Sequence, residues 1–364
     1  MRKLTILLML LACAIAAQAG VLKVASDGTQ PYTQISSAIA ASVSGDTILI
    51  MAGAYSGFTV DKKLVIIGSG TGTGVGEGVL VTSGINVLDA ADSTEIRSIW
   101  ARAAAAHTSD SLAAIVRIRS GAERIFLWRC FVENTHSGLY ASGIWVGEGA
   151  SVDIVQTTIC QTGSQDPNVR WGICYRSNCH IELTSCVFHG FTNNVSSFGT
   201  TSGSTLLAKH CVLITYNYTQ NTVGGAIAGV FENSAFVLRG SFSHTYSPNV
   251  TYSYCSYSEA LYPPPGGTSI LADSSEIETL SFETIRACDF HLPVGSVLID
   301  AGNPTSPFDL DGSAADIGIY GGQHPYVDGG VPDYPFAVQV EVPYSAPLNG
   351  TMRIWGRGRV GPGN

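Results

Sequence analysis

The sequence predicts an all-β solenoid, a stack of short-stranded coils, and three observations carry the prediction. First, six segments of eight residues repeat one pattern: apolar, any, apolar, two residues, a small residue or cysteine, any, apolar. They are Ile125–Val132, Val152–Ile159, Ile181–Phe188, Leu206–Leu213, Gly229–Phe236 and Val250–Tyr257. Their sixth positions, Cys130, Thr157, Cys186, Cys211, Ser234 and Cys255, follow one another at 21 to 29 residues. Second, the runs Ile115–Ile118, Gly143–Val146 and Gly172–Tyr175 recur upstream at matching spacing, so each coil holds at least two strands. Third, 41 glycines and only 13% charged residues suit short strands and tight turns better than helices.

The ends of the chain read differently. Arg2 and Lys3, the apolar run Leu4–Ala17 and Ala17-Gln18-Ala19 form the three parts of a signal peptide over residues 1–19. Cleavage before Gly20 would change the net charge from −9 to −11, because two cations leave with the segment. Leu10-Leu11-Ala12-Cys13 loosely resembles a lipobox, so a lipid anchor at Cys13 is the alternative. No other stretch is apolar enough to span a bilayer. A secreted or surface-displayed protein is expected, and its acidity argues against a nucleic-acid partner. Eight of the nine cysteines lie beyond the signal segment. Four occupy the repeat column, where a small buried residue is expected. Cys174 and Cys179 flank a short turn and are candidates for a disulfide.

Val21–Ala25 reads as a strand and Tyr32–Ser42 as a short helix, with Ile35, Ala38, Ile39 and Val43 at helical spacing. Together they would cover the open end of the stack, which otherwise invites edge pairing. The expected organisation is a cap and first rung over 20–60, rungs over 61–300, a closing segment over 301–326 and a Pro/Gly/aromatic tail over 327–364. Ala101–His107 interrupts the pattern as a loop or short helix, Tyr262–Gly267 ends the regular repeats, and Ala337–Val342 is strand-like.

The pattern Asp27-Gly28…Tyr32-Thr33-Gln34-Ile35…Ala38-Ile39…Gly45-Asp46-Thr47-Ile48…Gly53-Ala54-Tyr55 resembles the N-terminal cap of secreted bacterial right-handed parallel β-helix proteins, the pectin-lyase-like superfamily. Phe290–Pro304, followed by Asp309-Leu310-Asp311-Gly312, Asp316-Ile317-Gly318 and Tyr320-Gly321-Gly322, is similar to the closing segment of many members. The resemblance spans about residues 21–326. It implies a single-stranded right-handed parallel β-helix with a strand and short-helix cap. It does not imply one activity, since the scaffold hosts lyases, hydrolases, binders and structural proteins. Of the polygalacturonase-like signatures only His189-Gly190 is present, and pectate-lyase-like arginine and aspartate motifs are not evident.

Strand alternation sends the residues between the apolar positions outward. One outward column then reads Phe126, Asp153, Glu182, Leu207, with His180 and Arg124 on one side and Trp128, Thr184 and Lys209 on the other. Rungs stack about 4.8 Å apart, so Asp153 and Glu182 should be neighbours, a setting for a general acid beside a carboxylate. The plainer reading is a solvated face in which Arg124 and His180 balance the acids. A second outward set holds Arg117, Trp145 and Cys174 in one column and Arg119 and Arg176 in the next. Guanidiniums can take sugar carboxylates while an indole stacks on a ring, though the same residues also suit a packed surface. Asp309-x-Asp311-Gly312 with Asp316 resembles the opening of a calcium loop but lacks its closing glutamate.

The preferred function on these residues is non-catalytic binding of polysaccharide, an acidic polymer among the candidates, through Arg117, Arg119, Trp145 and Arg176, with Arg124 and Trp128 as further contacts. The alternatives are a polysaccharide lyase or glycoside hydrolase using Asp153, Glu182 and His180, and a structural or adhesive scaffold whose tail docks a surface partner. No cofactor is required by any of the three; calcium at Asp309, Asp311 and Asp316 is the one candidate ion.

Overall fold

The computed structural model describes residues 19–72, 78–103, 113–136, 141–162, 171–198, 202–216, 220–221, 223–239, 244–259, 263–276, 290–327, 336–341 and 355–359; residues 1–18, Cys13 among them, lie outside these. Three parallel sheets dominate. Sheet A has ten strands, from Val21–Val24 to Val250–Ser253, and sheet B has ten, from Gly53–Tyr55 to Ile270–Leu271. Sheet C has six, from Phe58–Val60 to Asn193–Ser197. The chain visits A, B and C in turn before stacking the next coil, so a full coil has three strands. This is a right-handed parallel β-helix, with the hand that parallel crossovers take.

The repeated pattern decodes as the end of a sheet-A strand, a corner, and the start of a sheet-B strand. In Ile125–Val132, Ile125, Leu127, Cys130 and Val132 fill the interior, and Arg129 makes the bend. The corner residue is left-handed in coil after coil: φ is 55° at Ser98, 53° at Arg129, 50° at Gln156, 52° at Ser185, 53° at His210, 51° at Asn233 and 50° at Tyr254. That conformation costs a non-glycine residue about 1–2 kcal/mol. The ladder offsets it, because each corner N–H still reaches the next coil: Arg129 donates to Val155 O at 3.0 Å, Gln156 to Thr184 O at 2.9 Å and Ser185 to Lys209 O at 3.0 Å. The small residue that follows fits inside the bend and bonds the backbone there. Cys130 N donates to Thr157 Oγ1 at 3.2 Å, Cys211 N to Ser234 Oγ at 3.0 Å, and the Cys186 thiol to Ile154 O at 3.2 Å. The column is therefore a polar corner filling as much as a stack of small apolar groups. Burial pushes the Cys130 thiol up to about 11, which leaves it protonated and inert.

Cys174 and Cys179 are both free, so the candidate disulfide is not formed. Cys174 is buried on the outer face with Trp171 and Trp145, whereas Cys179 turns inward and its thiol donates to Gly147 O at 3.0 Å. Their sulfurs sit on opposite sides of the wall.

At the N-terminus, α1 (Ile35–Ala41) buries Ile35, Ala38 and Ile39 over the open end. Val43 falls beyond the helix and is exposed, so the apolar stripe is shorter than its spacing suggested. Asp46 joins the cap to the first strand, accepting from Gly20 N at 2.6 Å and Val43 N at 2.8 Å. The Tyr55 hydroxyl donates to Met51 O at 2.8 Å and accepts from Ser26 N at 3.2 Å.

At the other end the last stacked strand among the described residues is Ile270–Leu271. The segment 290–327 lies instead along the outer face of sheet B. There Phe290, Leu298, Ile317 and Ile319 form a second core with Val187, Val212, Ile214, Ala235 and Val237. The corner column clasps it. Asn233 accepts Asn303 N on Oδ1 at 2.7 Å and Gly318 N on its carbonyl at 3.0 Å. Glu232 takes Asn303 Nδ2 and Ser306 Oγ, each at 2.9 Å, and Gln156 Nε2 donates to Pro325 O. His210 lies beneath Gly321-Gly322, where a Cβ on Gly322 would come within 2.7 Å of its Nε2. Trp100–Ala103 is a sheet-B strand, so the alanine-rich break begins later than Ala101, and residues 104–112 lie outside those described. In the tail, Phe336–Glu341 pairs antiparallel with Trp355–Arg359, a partner strand that its Gly-Arg alternation hid from sequence reading.

Desolvation pushes buried His210 down to about 4 from 6.5; Lys209 adds to this, while the Asp316 and Gly318 carbonyls and Glu232 oppose it. A base whose folded-state pKa is depressed stabilises the fold only while neutral. Stability should therefore fall by about 1.4 kcal/mol per pH unit as pH drops from 6.5 towards 4. Burial raises Asp309 and Asp316, and they act in the opposite sense at the acid end, so the comparison must be with His210→Gln. Urea midpoints of the wild type should decline over that window relative to the variant. Parallel pH profiles would show that His210 is not held neutral.

Candidate functional site

The outer face of sheet C carries the column Thr59, Asn86, Arg117, Trp145, Cys174, Ser196, each in register with the next. The expected juxtaposition of Arg117 and Trp145 is therefore present. A groove of about 500 Å³ opens on the N-terminal part of this face, lined by Ser36, Thr59, Asn86, Arg117 and Arg119 over a floor that includes Gly57 and Gly84. Arg119 is held by its Nε–H, which donates to Asn86 Oδ1 at 2.8 Å. Arg117 has no hydrogen-bond partner at its buried Nε among the described residues. Burial and then the charge of Arg119 lower its pKa, although a guanidinium stays cationic at any physiological pH. Two cations thus share a half-enclosed groove with no carboxylate among the described residues that line it, a setting that favours an anion.

The four-residue grip expected from sequence divides in two. Arg119 and Arg176 do share a column, but Gly147 stands between them: Gly147 N donates to Ile118 O and Arg176 N to Val146 O. The pair is thus about 9.6 Å apart at two rung spacings. Arg176 lies over Trp145 at 5.3 Å and over Phe198 at 5.0 Å, and Phe198 meets Trp145 and Trp171 edge-on at 6.1 Å each. Trp145 and Arg176 belong to an aromatic cluster one rung beyond the groove, not to its lining.

Arg124 and Trp128 lie on sheet A, a different side of the solenoid, so they do not extend the groove. Arg124 is exposed at a left-handed corner, its N–H donating to Ser151 Oγ at 2.6 Å. The Trp128 indole N–H donates to Gln156 Oε1 at 2.7 Å, and Arg97 and Arg129 lie over its ring at 4.8 and 5.2 Å. Its ring is already engaged.

On the same sheet the register pairs Phe126 with Asp153, Asp153 with Glu182 and Glu182 with Leu207, as strand alternation predicted. His180 bridges Glu182 Oε1 at 2.9 Å and Thr205 Oγ1 at 2.6 Å. Burial first, then the Glu182 charge, raises Asp153, with His180 opposing.

In the closing segment, Asp309 accepts Asp316 N at 3.0 Å and Gly322 N, Asp311 accepts Ser313 N at 2.9 Å and its hydroxyl at 2.5 Å, and Asp316 accepts Asp300 N at 2.8 Å. These carboxylates close turns onto their own backbone. Among the described residues, no group of three or more His, Cys, Asp or Glu is arranged to hold a metal ion.

Asn86, Thr59, Ser36 and Phe198 were not singled out from sequence. The first two sit in Ile85-Asn86-Val87 and Phe58-Thr59-Val60, apolar-x-apolar triplets that alignment to the later sheet-C strands would have found. Ser36 depends on where the helix lands, which no spacing encodes.

No family model and no curated protein matches this chain. Among solved structures it is similar to the pectate lyase Pel9A, at 15% identity and a TM-score of 0.48, over 84% of this chain and 97% of that one. It is also similar to the pectin methylesterase of Aspergillus niger, at 19% identity and a TM-score of 0.35, over 70% of this chain and 84% of that one. Likeness at this level carries nothing about the chemistry of the groove.

The carboxylate pair makes a local prediction. Glu182→Gln should bring the Asp153 pKa down, because one raising charge is gone, yet leave it above 3.8 because burial, the larger cause, remains. Carboxyl ¹³C titration by NMR measures this, and an unmoved Asp153 would mean the two side chains are not in electrostatic contact.

Proposed function

We propose that this chain is an exported β-helix protein that binds an acidic polysaccharide through the groove on sheet C. The observation that carries the reading is the pair Arg117 and Arg119 in a half-enclosed groove without a carboxylate among the described residues of its lining. The buried Arg117 Nε has no hydrogen-bond partner among the described residues, and a carboxylate drawn to the same guanidinium would offset that cost. Asn86 restrains Arg119, which lowers the entropy lost when the guanidinium is engaged. A polyuronate suits the site because each guanidinium presents planar donors to a planar carboxylate.

Binding should weaken with salt. Arg117→Ala and Arg119→Ala should each cost about tenfold or more in affinity for a linear polyuronate, as loss of a charge-assisted contact does. Arg176→Ala should cost less, since that side chain stacks on Trp145 outside the groove. Affinity chromatography and calorimetry on acidic and neutral polysaccharides test this. Full affinity in both groove variants would remove the proposal.

Hydrolysis at Asp153 and Glu182 is a second reading, supported by the raised Asp153 beside a His180-bound Glu182. A one-rung spacing of about 4.8 Å is close to that of retaining glycosidases. It expects release of reducing ends that disappears in Asp153→Asn and Glu182→Gln. Release that survives both changes would exclude it.

A further inference from the structure

We infer that the groove receives the end of a polysaccharide chain and not an internal stretch of one. The inference rests on the reading of the groove as an acidic-glycan site and adds the geometry of its ligand. Sheet C begins at Phe58–Val60, with no strand stacked before it among the described residues, and α1 packs on that strand. The helix therefore stands where a further coil would have continued the sheet, and its exposed Ser36 lines the groove at that end. A ligand lying along the solenoid axis meets a wall there.

The floor is closed too. A Cβ on Gly57 would lie 2.4 Å from Gly84 O, and one on Gly84 would lie 2.7 Å from Ile115 O. The backbones of successive coils are in direct contact, so nothing passes beneath. In the other direction the same column runs on from Arg117 to Trp145, with Arg176 over the indole. From Thr59 to Arg117 is two rung spacings, about 9.6 Å, and with a volume of about 500 Å³ the closed part has room for a short terminal piece of a chain. Arg117 and Arg119 stand at its open side, where the carboxylates of the last units would lie. The remaining chain would leave over the aromatic cluster.

Chain-end and mid-chain binding differ in how capacity scales. The test is isothermal titration of the purified chain with alginate fractions of different mean length, each at the same mass of uronate. End recognition expects binding sites per gram to rise in inverse proportion to length, about tenfold for a tenfold shorter fraction. Capacity that follows mass and ignores length overturns the inference while leaving acidic-glycan binding intact. No binding to any fraction defeats both. A second arm uses Ser36→Trp, which fills the closed end from an exposed helix position, beside Thr33→Trp as an exposed control outside the groove. Loss of at least tenfold in affinity in the first alone supports the inference. Wild-type affinity in Ser36→Trp overturns it, because the closed end would then be unused.

Discussion

The structure depends on one constraint, the corner between sheets A and B, where a left-handed residue is followed by a small inward side chain. The bend must turn the chain without breaking the axial ladder, and it does so because each corner N–H still bonds the coil above. Side chains as different as Ser185, Gln156, His210 and Tyr254 adopt the same backbone there, so the geometry is imposed by stacking and not by residue preference. Because the corner repeats in phase, every residue after it is held in register, and outward columns such as Asp153–Glu182 or Arg117–Trp145 follow.

The same column also organises the second layer. Gln156, His210 and Asn233 sit on an outside edge where their side chains reach beyond the coil, and the segment 290–327 is fastened to them. That segment covers an apolar face of sheet B which would otherwise meet water. One side of the solenoid is thus closed by the chain itself, and the sheet-A and sheet-C faces carry the candidate sites. Gly321-Gly322 is explained by this docking, since only glycine lets the backbone lie against the His210 ring.

Sites on such a scaffold inherit its spacing. Rungs about 4.8 Å apart bring residues distant in sequence into single file, which makes pairs easy to form and pockets hard. The groove on sheet C exists because the regular stack is interrupted there, by α1 at its end and by Gly57 and Gly84 in its floor. On sheet A, Glu182 is already engaged by His180 and Asp153 is partly buried beside it, whereas the groove's Arg117 and Arg119 have no carboxylate among the described residues that line it. The contrast favours the groove as the place where a ligand can be desolvated and held.

By itself, the sequence determined the solenoid, its period, the inward columns, and the register that sets Asp153 beside Glu182 and Arg117 beside Trp145. These are consequences of alternation and of a repeat that can be read along the chain. The third strand of each coil was partly legible, since its first residues ended the repeated pattern without being recognised as a separate sheet. Tertiary structure alone decided that Arg176 and Trp145 pack with Phe198, that Cys174 and Cys179 point apart, and that Ser36 walls the groove. Each depends on contacts between segments whose separation in sequence follows no period, and a periodic pattern carries no information about where the irregular parts of a chain come to rest.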